Sequence, residues 1–270
     1  GIDDMIGKVR CILMEHRFSE RAGSTYRLNL GIVGPQGSGK SVFLRVFLEE
    51  LFADLVTTGE WKDTFIFMQD LTNIVSYSTS PIQFYKSFLN ATLDSLTWAR
   101  PTLVPYIGVI HKMFEDVTSL KNAPRFNMAF SLNPEMQHYA AELQTIINKL
   151  SLIWNDEECL AAWINSIVFL PMIISQAFGF KKCIYVLDHY DFADTVFNPS
   201  NSKFGESPSA VSLIDVINSA LMHCNFVISC SNQRDFLGLV EQFPGEEAIK
   251  PKLELISTIG LMQEATHEDQ

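Results

Sequence analysis

Apolar and polar positions alternate along this chain in two rhythms. Short, nearly unbroken apolar runs predict buried strands at 27–33, 64–68 (TFIFM), 183–187 (CIYVL) and 225–229 (NFVIS), and 253–259 predicts a fifth. Between the runs, apolar residues recur at helical spacing. Asp3 or Asp4 caps a predicted helix through Ile6, Val9, Ile12 and Leu13. A polar stretch, 19–25, follows. After a glycine-rich turn, Val42, Leu44, Val46, Phe47 and Leu51 mark a second helix. Ser80-Pro81 is an N-cap followed by a first-turn proline, and opens a helix carrying Phe84, Phe88 and Leu89 on one face. Asn133-Pro134 repeats that signal before Tyr139, Leu143, Ile147 and Leu150. A further helix, 160–178, is expected to kink or break near Pro171 and to close at Gly179. Residues 192–207, rich in Asn, Ser, Pro and Gly, read as loop, and Ser207-Pro208 opens a helix through Val211, Ile214 and Ile217.

Strands alternating with helices predict an α/β fold, a mostly parallel five-stranded sheet with helices on both faces. The second and third strands are separated by roughly 110 residues, far more than one crossover helix needs. That length predicts a helical insertion at about 72–180. The chain thus divides into an N-terminal helix and linker (1–26), the α/β domain (27–262) and a polar tail (263–270). Trp98, Trp154 and Trp163 fall in the insertion, where core packing is the common fate of such aromatics. The insertion helices either cover one sheet face or form a partner surface.

Composition narrows the function. Of 270 residues, 47% are apolar and 19% charged, the balance of a globular protein with a large core. A net charge of −11 argues against a broadly basic surface for nucleic acid. The five cysteines are scattered, several within apolar runs, and no pair has metal-ligand spacing. A reducing, intracellular setting, cytoplasmic or nuclear, follows. The chain opens Gly-Ile-Asp-Asp, with neither an initiator Met nor a signal peptide, and reads as a piece of something longer. Its most apolar window, 164–180, is interrupted by Asn165, Ser166, Pro171, Ser175 and Gln176 and is too short for a membrane span, so no membrane is expected.

The glycine-rich turn carries the chemistry. Residues 34–41 read GPQGSGKS and fit G-x-x-x-x-G-K-[ST], with an apolar strand before and an amphipathic helix after. Glycines let backbone N–H groups turn inward around phosphate oxygens. The helix that begins at Lys40 points its positive end at the same anion. The predicted nucleotide-binding residues are Gly34, Pro35, Gln36, Gly37, Ser38, Gly39, Lys40, Ser41 and Val42. Lys40 would neutralise the β- and γ-phosphates, and the Ser41 hydroxyl would ligate Mg²⁺. Asp188, at the end of the third strand, is the second expected metal ligand, because a carboxylate there sits at the crevice where such sheets bind ligands. The competing reading is an ordinary acid where a strand meets its loop.

With these motifs in this order, the chain resembles the AAA+ and STAND branches of the P-loop ATPases. Walker A lies at 34–41, Walker B at 184–188 and a polar-tipped strand at 226–232. A nearer likeness is to initiator ATPases of the origin-recognition kind, which carry Asp-Glu-aromatic-Asp where this chain has Asp188-His189-Tyr190-Asp191. The resemblance implies bound ATP and Mg²⁺, and coupling of the nucleotide cycle to protein partners or self-assembly. It also implies DNA contact, which the −11 charge assigns to regions outside this chain. One departure matters: the water-activating Glu after the Walker B Asp is His189, and the STAND position four residues after that Asp is Phe192. Asp191 is the substitute candidate for a catalytic base, with His189 as the alternative. Asn232, or else Ser229 or Ser231, matches the sensor position. Arg234 is either a finger toward nucleotide or a solvated surface residue. The guanine-reading Asn-Lys-x-Asp of GTPases is missing from 231–235, which favours ATP. Two functions follow: an ATPase, with Lys40, Asp191 and Asn232 as its catalytic residues, that remodels or assembles protein partners, and a nucleotide-gated interaction module with little hydrolysis.

Overall fold

A computed structural model describes residues 2–21, 28–75, 80–118, 134–155, 159–197 and 210–242. The elements run in the order α1 (Ile2–Arg21), β1 (Asn29–Val33), α2 (Lys40–Thr58), β2 (Thr64–Asp70), α3 (Leu71–Val75), α4 (Pro81–Ala99) and α5 (Val104–Glu115). They continue with α6 (Pro134–Asn155), α7 (Leu160–Val168), α8 (Leu170–Ala177), β3 (Lys182–Asp188), β4 (Val196–Phe197), β5 (Val211–Ser212), α9 (Leu213–Leu221), β6 (Asn225–Cys230) and α10 (Gln233–Gln242). The class is α/β: four strands form a parallel sheet in the order β1-β6-β3-β2. The expected fifth strand at 253–259 and the polar tail at 263–270 lie outside the described residues, as does most of the 19–25 stretch.

The chain divides into two compact units. The first comprises Gly1–Lys62, Ile184–Phe192 and Leu221–Gln270. In it β1 pairs with β6 from Asn29↔Phe226 to Val33↔Cys230, and β6 pairs with β3 from Ile184↔Asn225 to Leu187↔Ile228. Every residue of β1 is buried, the polar Asn29 included, as expected for a strand covered on both faces. α2 lays Phe43, Phe47, Leu51 and Leu55 into the core. Val42 and Val46, expected on that face, are not buried, and Val42 is 53% exposed. α1 packs on α2 through Met5, Val9 and Leu13, one residue every four. Arg10 to Glu50 (2.8 Å) and Arg17 to Asp54 (2.6 Å) flank that seam. Asp3 and Asp4 sit in the first turn of α1 rather than at its cap, where they still face the positive helix end.

The second unit comprises Asp63–Cys183 and Ala193–Ala220. It is built around α4. Ser80 Oγ accepts from the Gln83 N–H at 3.3 Å and Pro81 opens the helix, as the Ser-Pro signal predicts. Phe84, Phe88 and Leu89 are all buried, each worth about 1.5–3 kcal/mol of apolar transfer. Phe88 meets Phe67 of β2 at 5.1 Å between ring centroids, and Tyr85 meets Trp163 at 5.1 Å. Trp154 packs against Trp163 at 4.8 Å between ring centroids, the rings tilted by 51°, so two of the three insertion tryptophans are core. Trp98 is not: at the end of α4 it is 84% exposed. The 160–178 helix breaks at Phe169 into α7 and α8, bent by 53°, with Pro171 in the first turn of α8 where its missing N–H costs nothing. Gly179 closes α8, its N–H donating to Gln176 O at 2.9 Å.

Two expectations are corrected here. The stretch read as loop contains β4, which pairs antiparallel with β5 (Phe197↔Val211) because Phe197 is buried against Phe84 at 5.2 Å. Accordingly Val211 belongs to a strand and α9 starts at Leu213; Ser207 and Pro208 lie outside the described residues. α3 and α5 were not anticipated. Among the described residues no single helix is long and apolar enough to cross a membrane, and the bent pair α7–α8 has the buried side chains of core helices.

Candidate functional site

The site is assembled within the first unit, where β1, β6 and β3 end side by side. The strand register dictates this. Val33 is level with Cys230, and Leu187 is level with Ile228. One residue further on, Gly34, Asp188 and the turn after Cys230 emerge at the same sheet end, where parallel α/β sheets bind ligands. Gly34 N–H still donates to Cys230 O at 3.2 Å, and the chain then leaves the sheet.

Residues 34–39 form the turn into α2. Gly39 is the N-cap residue at φ 87°, and Gly37 has φ 79°, both left-handed. A Cβ at either would meet nothing within 4 Å, so the demand for glycine is one of backbone conformation, and open space lies on that side. No side chain caps α2, which leaves its first N–H groups available to an anion.

Lys40 is 7% exposed. A buried ammonium needs partners, and the loop supplies them: Nζ donates to Gly34 O at 2.8 Å, Pro35 O at 3.1 Å and Ser231 Oγ at 3.4 Å. Next to it, Ser41 Oγ donates to Asp188 Oδ2 at 2.9 Å across 147 residues of sequence. The other oxygen, Oδ1, accepts from Ser229 Oγ and from the His189 N–H at 3.0 Å. The Asp188 carboxylate is therefore fixed by three donors and set against the first turn of α2. A hydroxyl and a carboxylate oxygen in contact are a donor set suited to a hard divalent cation.

His189 is the non-glycine residue with positive φ (55°) among those described, and its ring lies edge-on to Phe192 at 6.4 Å. Asp191 has both oxygens on the Ser231 N–H at 2.9 Å, and Oδ1 also accepts from Asn232 N–H at 3.3 Å. Asn232 in turn caps α10, its Oδ1 accepting from the Arg234 N–H at 2.9 Å. These groups surround a cavity of about 710 Å³ whose walls include Gly37, Lys40, Ser41, His189, Asp191 and Asn232. Val42 and Phe192 add exposed apolar surface to the same walls.

The structure thus brings together Gln36, Gly37, Gly39, Lys40, Ser41, Val42, Asp191 and Asn232 around one space. Gly34 and Pro35 serve it indirectly, through carbonyls given to Lys40. Ser38 is buried, its hydroxyl without a hydrogen-bond partner. Asp188 stands behind the cavity wall, hydrogen-bonded to the lining residue Ser41. Ser229 is fully buried and holds Asp188, while Ser231 lines the cavity. Arg234 is exposed in the first turn of α10. Sequence reasoning missed the role of Ser229 as a prop for Asp188; a hydroxyl inside the apolar run NFVISC was its signal. Compared with protein families and with curated proteins, the chain matches no family model and no curated protein.

Proposed function

We propose that the first unit is a P-loop nucleotide-binding domain of the AAA+/STAND type. It binds ATP with Mg²⁺ and uses the bound state to gate association with protein partners or further copies of itself. The observation that carries this reading is the pairing of two contacts. The Lys40 ammonium is buried at the start of α2 on exchangeable loop carbonyls, and Ser41 Oγ lies 2.9 Å from Asp188. The residues present fit the group. Two left-handed glycines leave a cradle that no Cβ fills, the helix start offers N–H donors, and two hard oxygen ligands stand beside a cation.

Bound Mg-ATP supplies a polyanion and a hard divalent cation. Lys40, now on Gly34 O and Pro35 O, would offer its ammonium to phosphate oxygens. The Ser41 hydroxyl and Asp188 would hold the metal, and Ser229 together with the His189 N–H keeps Asp188 in place. Slow turnover follows from what stands next to Asp188. His189 occupies the position after it, and the next carboxylate along the chain, Asp191, accepts from the Ser231 and Asn232 N–H groups. A second reading, hydrolysis coupled to remodelling of partners, is favoured by one observation: His189 and Asp191 share the cavity with Lys40.

Thermal unfolding tests the binding claim. A ligand at 100 times its Kd adds about 2.7 kcal/mol to stability, enough to raise Tm by several degrees. Mg-ATP is expected to raise Tm for the wild type and not for Lys40→Ala, and Asp188→Asn is expected to abolish the extra rise due to Mg²⁺. A wild type indifferent to Mg-ATP, or a Lys40→Ala variant that shifts equally, overturns the proposal.

A further inference from the structure

Asp191 is the acid that sequence spacing nominates as a base, yet its surroundings give it other work. Both carboxylate oxygens accept from the Ser231 N–H, and one accepts from Asn232 N–H. These two amides lead out of β6 into α10. Ser231 presents its hydroxyl to the Lys40 ammonium, and Asn232 lines the cavity while its side chain caps α10. The turn at 231–232 is short and its residues are exposed, and its two N–H groups point to Asp191. A side-chain oxygen that accepts from two consecutive N–H groups fixes such a turn.

We propose that Asp191 is a positioning residue of the nucleotide cavity: it holds the 231–232 turn so that Ser231 stays on Lys40 and Asn232 stays on the cavity wall. The inference rests on the nucleotide reading of the site. Asp191 acts through the turn, whose residues Ser231 and Asn232 line the cavity. Loosening the turn obliges the ligand to order it again, which weakens binding.

Asparagine separates this role from that of a base. Asp191→Asn keeps a carbonyl oxygen for the backbone N–H groups and cannot take a proton from water. Asp191→Ala loses both functions. Backbone amide exchange is measured on the nucleotide-free protein, and the Kd of a fluorescent ATP analogue with Mg²⁺ is measured alongside. In Asp191→Ala, the Ser231 and Asn232 amides are expected to exchange on the order of ten-fold faster or more, and the analogue to bind on the order of ten-fold more weakly. Asp191→Asn is expected to restore most of both. Amide protection unchanged in Asp191→Ala overturns the positioning role whatever the nucleotide does. Asparagine as poor as alanine in both measurements also overturns it, since the acceptor alone then fails to hold the turn. A wild-type protein with protected amides and no affinity for the analogue overturns instead the nucleotide reading on which the cavity role depends.

Discussion

Lys40 shows what a single residue reveals before any ligand is considered. An ammonium 7% exposed, satisfied by two carbonyls and a hydroxyl, is a charge held in reserve: each partner is neutral and each contact can be exchanged. Its place was legible in the sequence: an apolar strand, a glycine-rich turn and then a helix that begins at Lys40. The conformation of its neighbour across the cavity was not. His189 has φ 55°, a region that β-branched residues rarely enter, and nothing in the string DHYD signals it. Substitution is expected to follow backbone preference rather than chemistry. His189→Gly should leave stability within about 1 kcal/mol of the wild type, whereas His189→Val should cost roughly 1–2 kcal/mol. Urea unfolding of the two variants checks this; equal stabilities would contradict a left-handed backbone at 189.

Elements were read with uneven success, and the reasons are physical. β1, β3 and β6 have continuous apolar runs because they are buried on both faces, and such runs stand out. α4 announced itself through Ser80-Pro81 and its aromatic stripe. α5 carries no comparable start signal, being preceded by Pro101 and a 3₁₀ turn. β4 and β5 have two residues each, below the length at which alternation is visible, and depend on Phe197 reaching Phe84. β3 also carries a titration that burial dictates. Cys183 is buried, which pushes its thiol up to about 12, partly opposed by a hydrogen bond with Ser175. Unfolded, the thiol ionises near 9.0. The folded state keeps its proton longer, so this contribution to stability is complete below pH 9 and is lost as pH rises toward 12. The decline is about 1.4 kcal/mol per pH unit for one such group. Burial, aided by Glu115, raises the Tyr85 hydroxyl as well and steepens the fall above pH 10. Denaturant unfolding between pH 8 and 11 should show Cys183→Val losing stability less steeply than the wild type; parallel curves would contradict a buried protonated thiol.

At the scale of the whole molecule, the alternation of elements was enough to predict an α/β chain, and a parallel sheet in the order β1-β6-β3-β2 is what it forms. The strand order was not legible, since it depends on which strands pair rather than on where each lies. The convergence of 34–41, 188–191 and 231–232 follows from that order, and with it the cavity. A net charge of −11 sets this chain apart from proteins with a broadly basic surface. Whether the cavity holds a nucleotide through Lys40 is decided by denaturing the purified protein, identifying any nucleotide released, and then following added Mg-ATP over hours. Adenine nucleotide is expected bound in the wild type and absent from Lys40→Ala, with added ATP staying largely intact. Retention of the same nucleotide by Lys40→Ala, or none bound by the wild type at millimolar ATP, would contradict binding through Lys40.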